Sequence, residues 1–184
     1  DGNSQWMADL NGDGMADHVY NRDDENGYYV MLSEADTFGV DTYWGNKDHG
    51  VENKGESQWF VDLNGDGMDD HVFQRNGRDD GDIIYYAMLS TGTAFADEQK
   101  WGSVSNKIAN SNNDQWMVDM NGDGRTDHVY IEHDSYATYV MLSEGSKFGS
   151  DTYWGVSVND PGTSWFVDMN NDGLTDQVIQ SGNE

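Results

Sequence analysis

The sequence predicts an all-β fold: a propeller-like array of four-stranded antiparallel blades, three complete and a fourth half complete. Three observations carry that expectation. A segment of roughly fifty residues recurs along the 184-residue chain. Each full copy holds four short strand-like runs separated by turn signals, and no stretch carries a helical signal. An Asp- and Gly-rich loop joins the first two runs in every copy.

The first half of the repeat reads QWMADLNGDGMADHVY at residues 5–20 and recurs at 58–73, 115–130 and 164–179. Its leading tryptophans are Trp6, Trp59, Trp116 and Trp165, which set intervals of 53, 57 and 49 residues. The first strand is read with a period of two. Trp6, Ala8 and Leu10 share one face, and Met7 lies on the other beside Gln5 and Asp9. The second copy repeats this with Trp59, Val61 and Leu63 against Phe60. Both faces carry bulk, so both are expected to be covered, as in a sheet packed between neighbouring sheets.

The second strand is the run DHVY and its equivalents. The third spans 28–33, 85–90 and 138–143. A Phe followed by a small residue comes next in each copy, at Phe38, Phe95 and Phe148. The fourth strand spans 42–45, 99–102 and 152–155. The repeats are therefore bounded at 1–56, 57–113, 114–162 and 163–184, within one repeat domain. The polar stretches between them vary in length and sequence, as surface connections do, and the last holds the single proline, Pro161. The fourth copy stops after two strands, and three and a half blades cannot close a ring. The chain also opens on Asp1 with neither an initiator methionine nor a secretory signal. The expectation is a piece of a longer protein, or an assembly that supplies the rest.

Composition narrows the function. Acidic residues outnumber basic ones 35 to 9, for a formal charge of -26. That argues against a nucleic acid partner and against anionic membrane surfaces, since both need a basic face. No apolar run reaches the roughly 18 residues of a spanning helix, so membrane insertion is not expected. There is no cysteine, hence no disulfide scaffold and no thiolate metal site. Low hydrophobicity with high charge resembles a disordered chain. The 7 Trp, 10 Tyr and 6 Phe argue for a core instead.

The four loops read Asp-x-Asn-Gly-Asp-Gly-x-x-Asp, with Asn171 replacing the first glycine of the last copy. Positions one, three, five and nine offer side-chain oxygens, and position seven offers a backbone carbonyl. An all-oxygen set selects Ca²⁺ or Mg²⁺ over zinc or copper. The glycine at position six (Gly14, Gly67, Gly124, Gly173) permits the bend around an ion. An EF-hand would need a Glu at position twelve and flanking helices. Position twelve is Tyr20, Phe73, Tyr130 and Ile179, each in a strand-like run. One such loop alone has a competing reading as a solvated Asx-rich turn. Recurrence at one place in four repeats favours a cation-binding β-hairpin.

The loops, the strands beside them and the following Phe-Gly resemble the FG-GAP/VCBS-type repeats of integrin alpha-subunit propellers and of many bacterial and fungal extracellular proteins. The likeness covers nearly the whole chain, although no Gly-Ala-Pro occurs. It implies about four Ca²⁺, one in each hairpin between the first two strands of a blade. The implied side-chain ligands are Asp9, Asn11, Asp13 and Asp17; Asp62, Asn64, Asp66 and Asp70; Asp119, Asn121, Asp123 and Asp127; and Asp168, Asn170, Asp172 and Asp176. The implied carbonyls are those of Met15, Met68, Arg125 and Leu174.

The expected function is a non-enzymatic, calcium-stabilised extracellular or cell-surface module for adhesion or structural assembly, with a protein partner or self-assembly. Weak calcium sites fill only at extracellular concentrations, which motivates the location. Two alternatives stand beside it: a carbohydrate-binding lectin, and an accessory region of a secreted polysaccharide-degrading enzyme. Sugar stacking would fall to Trp44, Trp101 and Trp154 on the outermost strands. No catalytic residue is assigned. His18, His71 and His128 follow the last loop Asp three times over, which suits a structural hydrogen bond. His49 and His133 fall in loops. The acidic runs at Asp23, Asp24 and Glu25 and at Asp79, Asp80 and Asp82 read as solvated turn tips.

Overall fold

A period-two pattern with bulk on both faces produces short strands, and the Asp-rich loop turns each first strand back on the second. In the computed structural model, strand β1 (Gln5–Ala8) pairs antiparallel with β2 (Asp17–Arg22), placing Trp6 opposite Val19 and Met7 opposite His18. The equivalent pairs are β7 (Gln58–Val61) with β8 (Asp70–Asn76), β11 (Gln115–Val118) with β12 (Asp127–Ile131), and β15 (Ser164–Val167) with β16 (Asp176–Ile179). All four hairpins share one register, so Trp59 faces Val72, Trp116 faces Val129 and Trp165 faces Val178. The structure describes residues 4–22, 26–46, 57–76, 82–104, 115–132, 135–156 and 164–180. Asp23, Asp24, Glu25, His49, Asp79, Asp80, His133 and Pro161 lie outside them.

The third and fourth strands of the first repeat are β3 (Gly27–Met31) and β6 (Thr42–Asn46), with the small hairpin β4 (Ser33–Glu34) and β5 (Thr37–Phe38) between them. The sheet order is β1-β2-β3-β6. In the second repeat β9 (Ile83–Met88) and β10 (Gln99–Val104) extend the pair in the same sense, and in the third β13 (Ala137–Met141) and β14 (Thr152–Val156) do so. The fold is thus all-β, and the described residues form three four-stranded antiparallel sheets, a two-stranded one from the fourth repeat and the small β4–β5 hairpin. No helix occurs among the described residues.

The β3–β6 ladder slips by one residue, so that Tyr29 pairs with Tyr43 and Tyr28 with Gly45 while Trp44 has no opposite number. The β13–β14 ladder slips at the equivalent place, leaving out Trp154. A bulge of this kind re-aims the extra side chain. Trp44 and Trp101 lie in the core, 2% and 1% exposed, while Trp154, left out of its ladder like Trp44, is 46% exposed. Rings this deeply buried offer no face to a sugar, so the exposed position expected for Trp44 and Trp101 on an outermost strand is corrected.

The chain divides into two compact units. The first comprises Asp1–Asp62, Asp66–Arg75 and Tyr85–Trp101. Its core joins Ala8, Leu10, Val19, Tyr28, Val30 and Trp44 to Phe73, Met88 and Phe95, with Trp6, Phe60 and Tyr86 against it. Trp6 packs on Phe60 at 5.2 Å between ring centres, and Trp44 on Phe95 at 5.4 Å. In the first repeat the face of Trp6, Val19 and Val30 is covered, but Met7 on the other face is 57% exposed, so the coverage expected of both faces is not seen there. The second unit comprises Leu63–Gly65, Asn76–Ile84 and Gly102–Glu184. Its core holds Met120, Val129 and Val140, with Trp116, Val118, Leu142 and Phe166 packed on it.

Candidate metal centre

Each loop is closed by its own aspartates. In the first, Asp9 Oδ1 accepts from the backbone N–H of Gly12 (2.8 Å) and Asp13 (3.2 Å), and Oδ2 accepts from Gly14 (2.8 Å). Asn11 Oδ1 accepts from the N–H of Asp13 at 3.0 Å, and Asp13 Oδ1 from that of Met15 at 2.8 Å. The third loop copies this: Asp119 accepts from Gly122, Asp123 and Gly124, Asn121 from Asp123, and Asp123 from Arg125. Asp168 does the same for Asn171, Asp172 and Gly173. In the second loop Asp62 accepts from Gly67 and Asp66 from Met68. The bends need left-handed backbone at positions four and six. Gly12 and Gly14 have φ of 74° and 82°, and Asn171 holds position four of the last loop at 61°. Sequence reasoning found the need for glycine at position six and missed it at position four. The repeated Gly-x-Gly was the available signal.

Position nine has a different task. Asp17 Oδ2 accepts from the N–H of Leu10 at 2.9 Å and Oδ1 from that of Ser33 at 2.8 Å. Asp127 accepts likewise from Met120 (2.9 Å) and Ser143 (2.7 Å), and Asp70 accepts from Ser90 (2.8 Å). These three aspartates are fully buried and tie the loop to the end of the third strand. Asp176, in a repeat without a third strand, accepts from Met169 at 3.0 Å and is half-buried. Burial pushes the Asp127 carboxyl up to about 6; the Ser143 and Met120 amides oppose that, and Asp123 and Asp119 add to it by repulsion. Asp17 is raised for the same reasons. Asp123 and Asp168 instead lie below the usual carboxylate range, held there by the amides and, at Asp123, by Asn121 and Arg125.

The donor set is all oxygen, which fits a hard cation and no soft one. A carboxylate has about four lone-pair positions, so accepting two amides leaves capacity for an ion. As placed, however, the loop carboxylates turn on backbone amides. Among the described residues no three acidic or histidine side chains form a metal-binding group. Asn11 Nδ2 donates to Asp13 Oδ2 at 3.0 Å, and Arg125 donates to Asp123 Oδ2 at 2.7 Å. Asn64 and Asn170 sit at position three of their loops, and the residues supplying the implied carbonyls, Met15, Met68, Arg125 and Leu174, follow the second bend of each loop.

Three histidines share one recurring hydrogen bond. His18, His71 and His128 each pair through Nε2 with the glutamine that opens the first strand, Gln5, Gln58 or Gln115, at 3.0 to 3.1 Å. Burial holds the His128 ring neutral, with its pKa down at about 3. In the fourth repeat both partners change, to Ser164 and Gln177. That paired change is a sequence signal for the bond, and the sequence reading did not use it.

Neither a protein-family model nor a curated protein matches the sequence. Among solved structures, the chain is similar to a pore-state Tc holotoxin of Photorhabdus luminescens, at 14% identity and a TM-score of 0.42. The match covers 97% of this chain and 11% of that one, so the chain spans about a tenth of the toxin chain's length.

Proposed function

We propose that the chain is a calcium-stabilised, non-enzymatic β-propeller-type module of the FG-GAP/VCBS kind, working outside the cell in adhesion or structural assembly. Each four-stranded sheet is a blade in this reading, and each Asp loop clips the inner hairpin of its blade around one Ca²⁺. The observation that carries it is the fourfold recurrence of one oxygen-lined loop on one hairpin register. The ligands would be the carboxylates of positions one, five and nine, the Asn of position three and the carbonyl of position seven. A bound cation would supply charge neutralisation where three carboxylates crowd together in a chain of net charge -26.

Thermal unfolding with and without a chelator tests this. At a Ca²⁺ concentration about tenfold above Kd, each site adds roughly 1.4 kcal/mol. Four sites then raise Tm by about 10–20 °C in a chain of this size. The expected result is a fall of that order in EDTA, reversed by added Ca²⁺. A melting temperature unmoved by EDTA refutes the calcium reading. The buried Trp44 and Trp101 leave the carbohydrate alternative with Trp154 alone of the three outer-strand tryptophans.

A further inference from the structure

Loop position seven carries a positive charge in one loop of the four. It is Met15, Met68 and Leu174 in the first, second and fourth loops and Arg125 in the third. The side chain at this position runs along position four of the loop before it. In the first compact unit, Met68 Cγ lies 3.2 Å from where a Cβ on Gly12 would stand, and Met68 Sδ 3.5 Å from that of Gly92. In the second, Arg125 copies the path. Its Cγ lies 3.0 Å from the Cβ position of Gly65, and its Cδ 3.7 Å from that of Gly145. Gly92 and Gly145 each stand two residues after the serine that ends the third strand. Glycine at position four makes room for the stem, and the stem fixes where its end goes. For Met68 that end is an uncharged thioether. For Arg125 it is a guanidinium, and Nη2 donates to Asp123 Oδ2 at 2.7 Å.

Asp123 holds position five, one of the carboxylates assigned to the ion. Its Oδ1 accepts from the Arg125 N–H at 2.9 Å, and its Oδ2 also accepts from Asn121 Nδ2 at 3.1 Å. The first loop has the equivalents of both: Asp13 accepts from the Met15 N–H at 2.8 Å and from Asn11 Nδ2 at 3.0 Å. The guanidinium is therefore the added contact of the third loop, and it brings a charge of the same sign as a metal ion. Of about four lone-pair positions on a carboxylate, Asp123 has three taken where Asp13 has two. Beside the pair opens a cavity of about 530 Å³, lined by Arg125, Asp123, Glu144, Ser150 and Thr152 among others.

We propose that Arg125 is a built-in competitor for the cation of the third loop, and that it makes this loop the weakest of the first three sites. The inference rests on the calcium reading above and adds the residue that ranks its sites. Asp123 can serve an ion only by sharing its oxygens with the guanidinium or by releasing it, and like charges meet in the first case while a charge-assisted hydrogen bond is lost in the second. The cavity leaves the head group room to turn from Asp123 towards Glu144, so the third loop remains able to fill and fills last. The Arg125 and Asp123 side chains are 35% and 28% exposed, so solvent screens the competition. The penalty is then about five- to tenfold in Kd and not a block. Loops one and two, with a methionine at this position, carry no such penalty.

The amide resonances of Gly14, Gly67 and Gly124, followed by NMR through a Ca²⁺ titration of the 184-residue chain, read the three loops one by one. In the wild type Gly124 should reach its midpoint at a Ca²⁺ concentration about five- to tenfold above those of Gly14 and Gly67. Arg125→Gln keeps a long stem and removes the charge, and it should bring the Gly124 midpoint into line with the other two. Met68→Arg places a second competitor in the second loop, and Gly67 should then lag behind Gly14 as Gly124 does. Circular dichroism checks that the variants fold; if Met68→Arg does not, Leu174→Arg takes its place with Gly173 as the reporter. A wild-type Gly124 midpoint that coincides with or precedes the other two overturns the proposal, as does one that Arg125→Gln leaves unmoved. The calcium reading survives both of those outcomes. It fails, and this inference with it, where none of the three resonances responds to Ca²⁺.

Discussion

Among individual residues, position nine of each loop joins two demands. Asp17, Asp70 and Asp127 are fully buried, yet each carries a charge-bearing group. Burial of a carboxyl is tolerated when amides satisfy it, and the amides come from the second loop residue and from the end of the third strand. Position five is different, because Asp123 lies near the surface and is held charged by Arg125 and Asn121. The two positions should respond differently to substitution. Asp127→Ala strands the N–H groups of Met120 and Ser143, at about 1–3 kcal/mol for each buried donor. Denaturant unfolding in chelator should show that loss. Asp123→Asn should leave the chelator-treated stability nearly unchanged and weaken Ca²⁺ binding in calorimetry. Equal effects of the two substitutions on stability would contradict the assignment.

At the level of elements, the four hairpins were legible in the sequence because one pattern was written four times. Trp6, Ala8 and Leu10 on one face and Met7 on the other fix the register, since a one-residue slip would exchange the faces. The bulge was not legible, because the one-residue offset at Trp44 shows only against the partner strand, between Tyr28 and Tyr29. It does not decide burial, since Trp44 is core and Trp154, left out of its ladder at the equivalent place, is exposed. The serine at the end of the third strand was equally silent. Ser90 and Ser143 look like ordinary strand ends, and their partners, the Leu10 and Leu63 carbonyls, lie eighty residues away in sequence. Ser143→Ala should cost about 1–2 kcal/mol, because the buried Leu63 carbonyl loses a donor. Ser33→Ala, on the open face of the first repeat, should change monomer stability little. Paired urea titrations of the two variants give the comparison, and a large loss for Ser33→Ala would mean that Ser33 is already engaged within the chain.

For the whole molecule, charge is the governing quantity. A chain with 35 acidic and 9 basic residues repels itself, and four of its densest acidic clusters are the Asp loops. Part of that repulsion is answered locally: Arg75 forms a two-pronged pair with Glu98 at 2.7 Å while lying over Phe73 and Tyr86, and Arg22 lies over Tyr29. Nine basic residues cannot answer the rest. Two remedies remain, and they are separable. Simple salt screens exposed charges through the Debye length, about 10 Å at 0.1 M and shorter above it. A divalent cation held by loop oxygens neutralises charge at contact distance and does so at far lower concentration. In EDTA, melting temperature should therefore rise gradually with NaCl and level off below the value reached in millimolar Ca²⁺. Adding Ca²⁺ at high NaCl should still produce a further rise, because inner-sphere binding survives screening. Mg²⁺ should fall between the two, since it surrenders its water reluctantly and fits a flexible loop poorly. If NaCl at matched ionic strength reproduced the whole Ca²⁺ effect, the loops would act as a diffuse acidic surface and not as four ion sites.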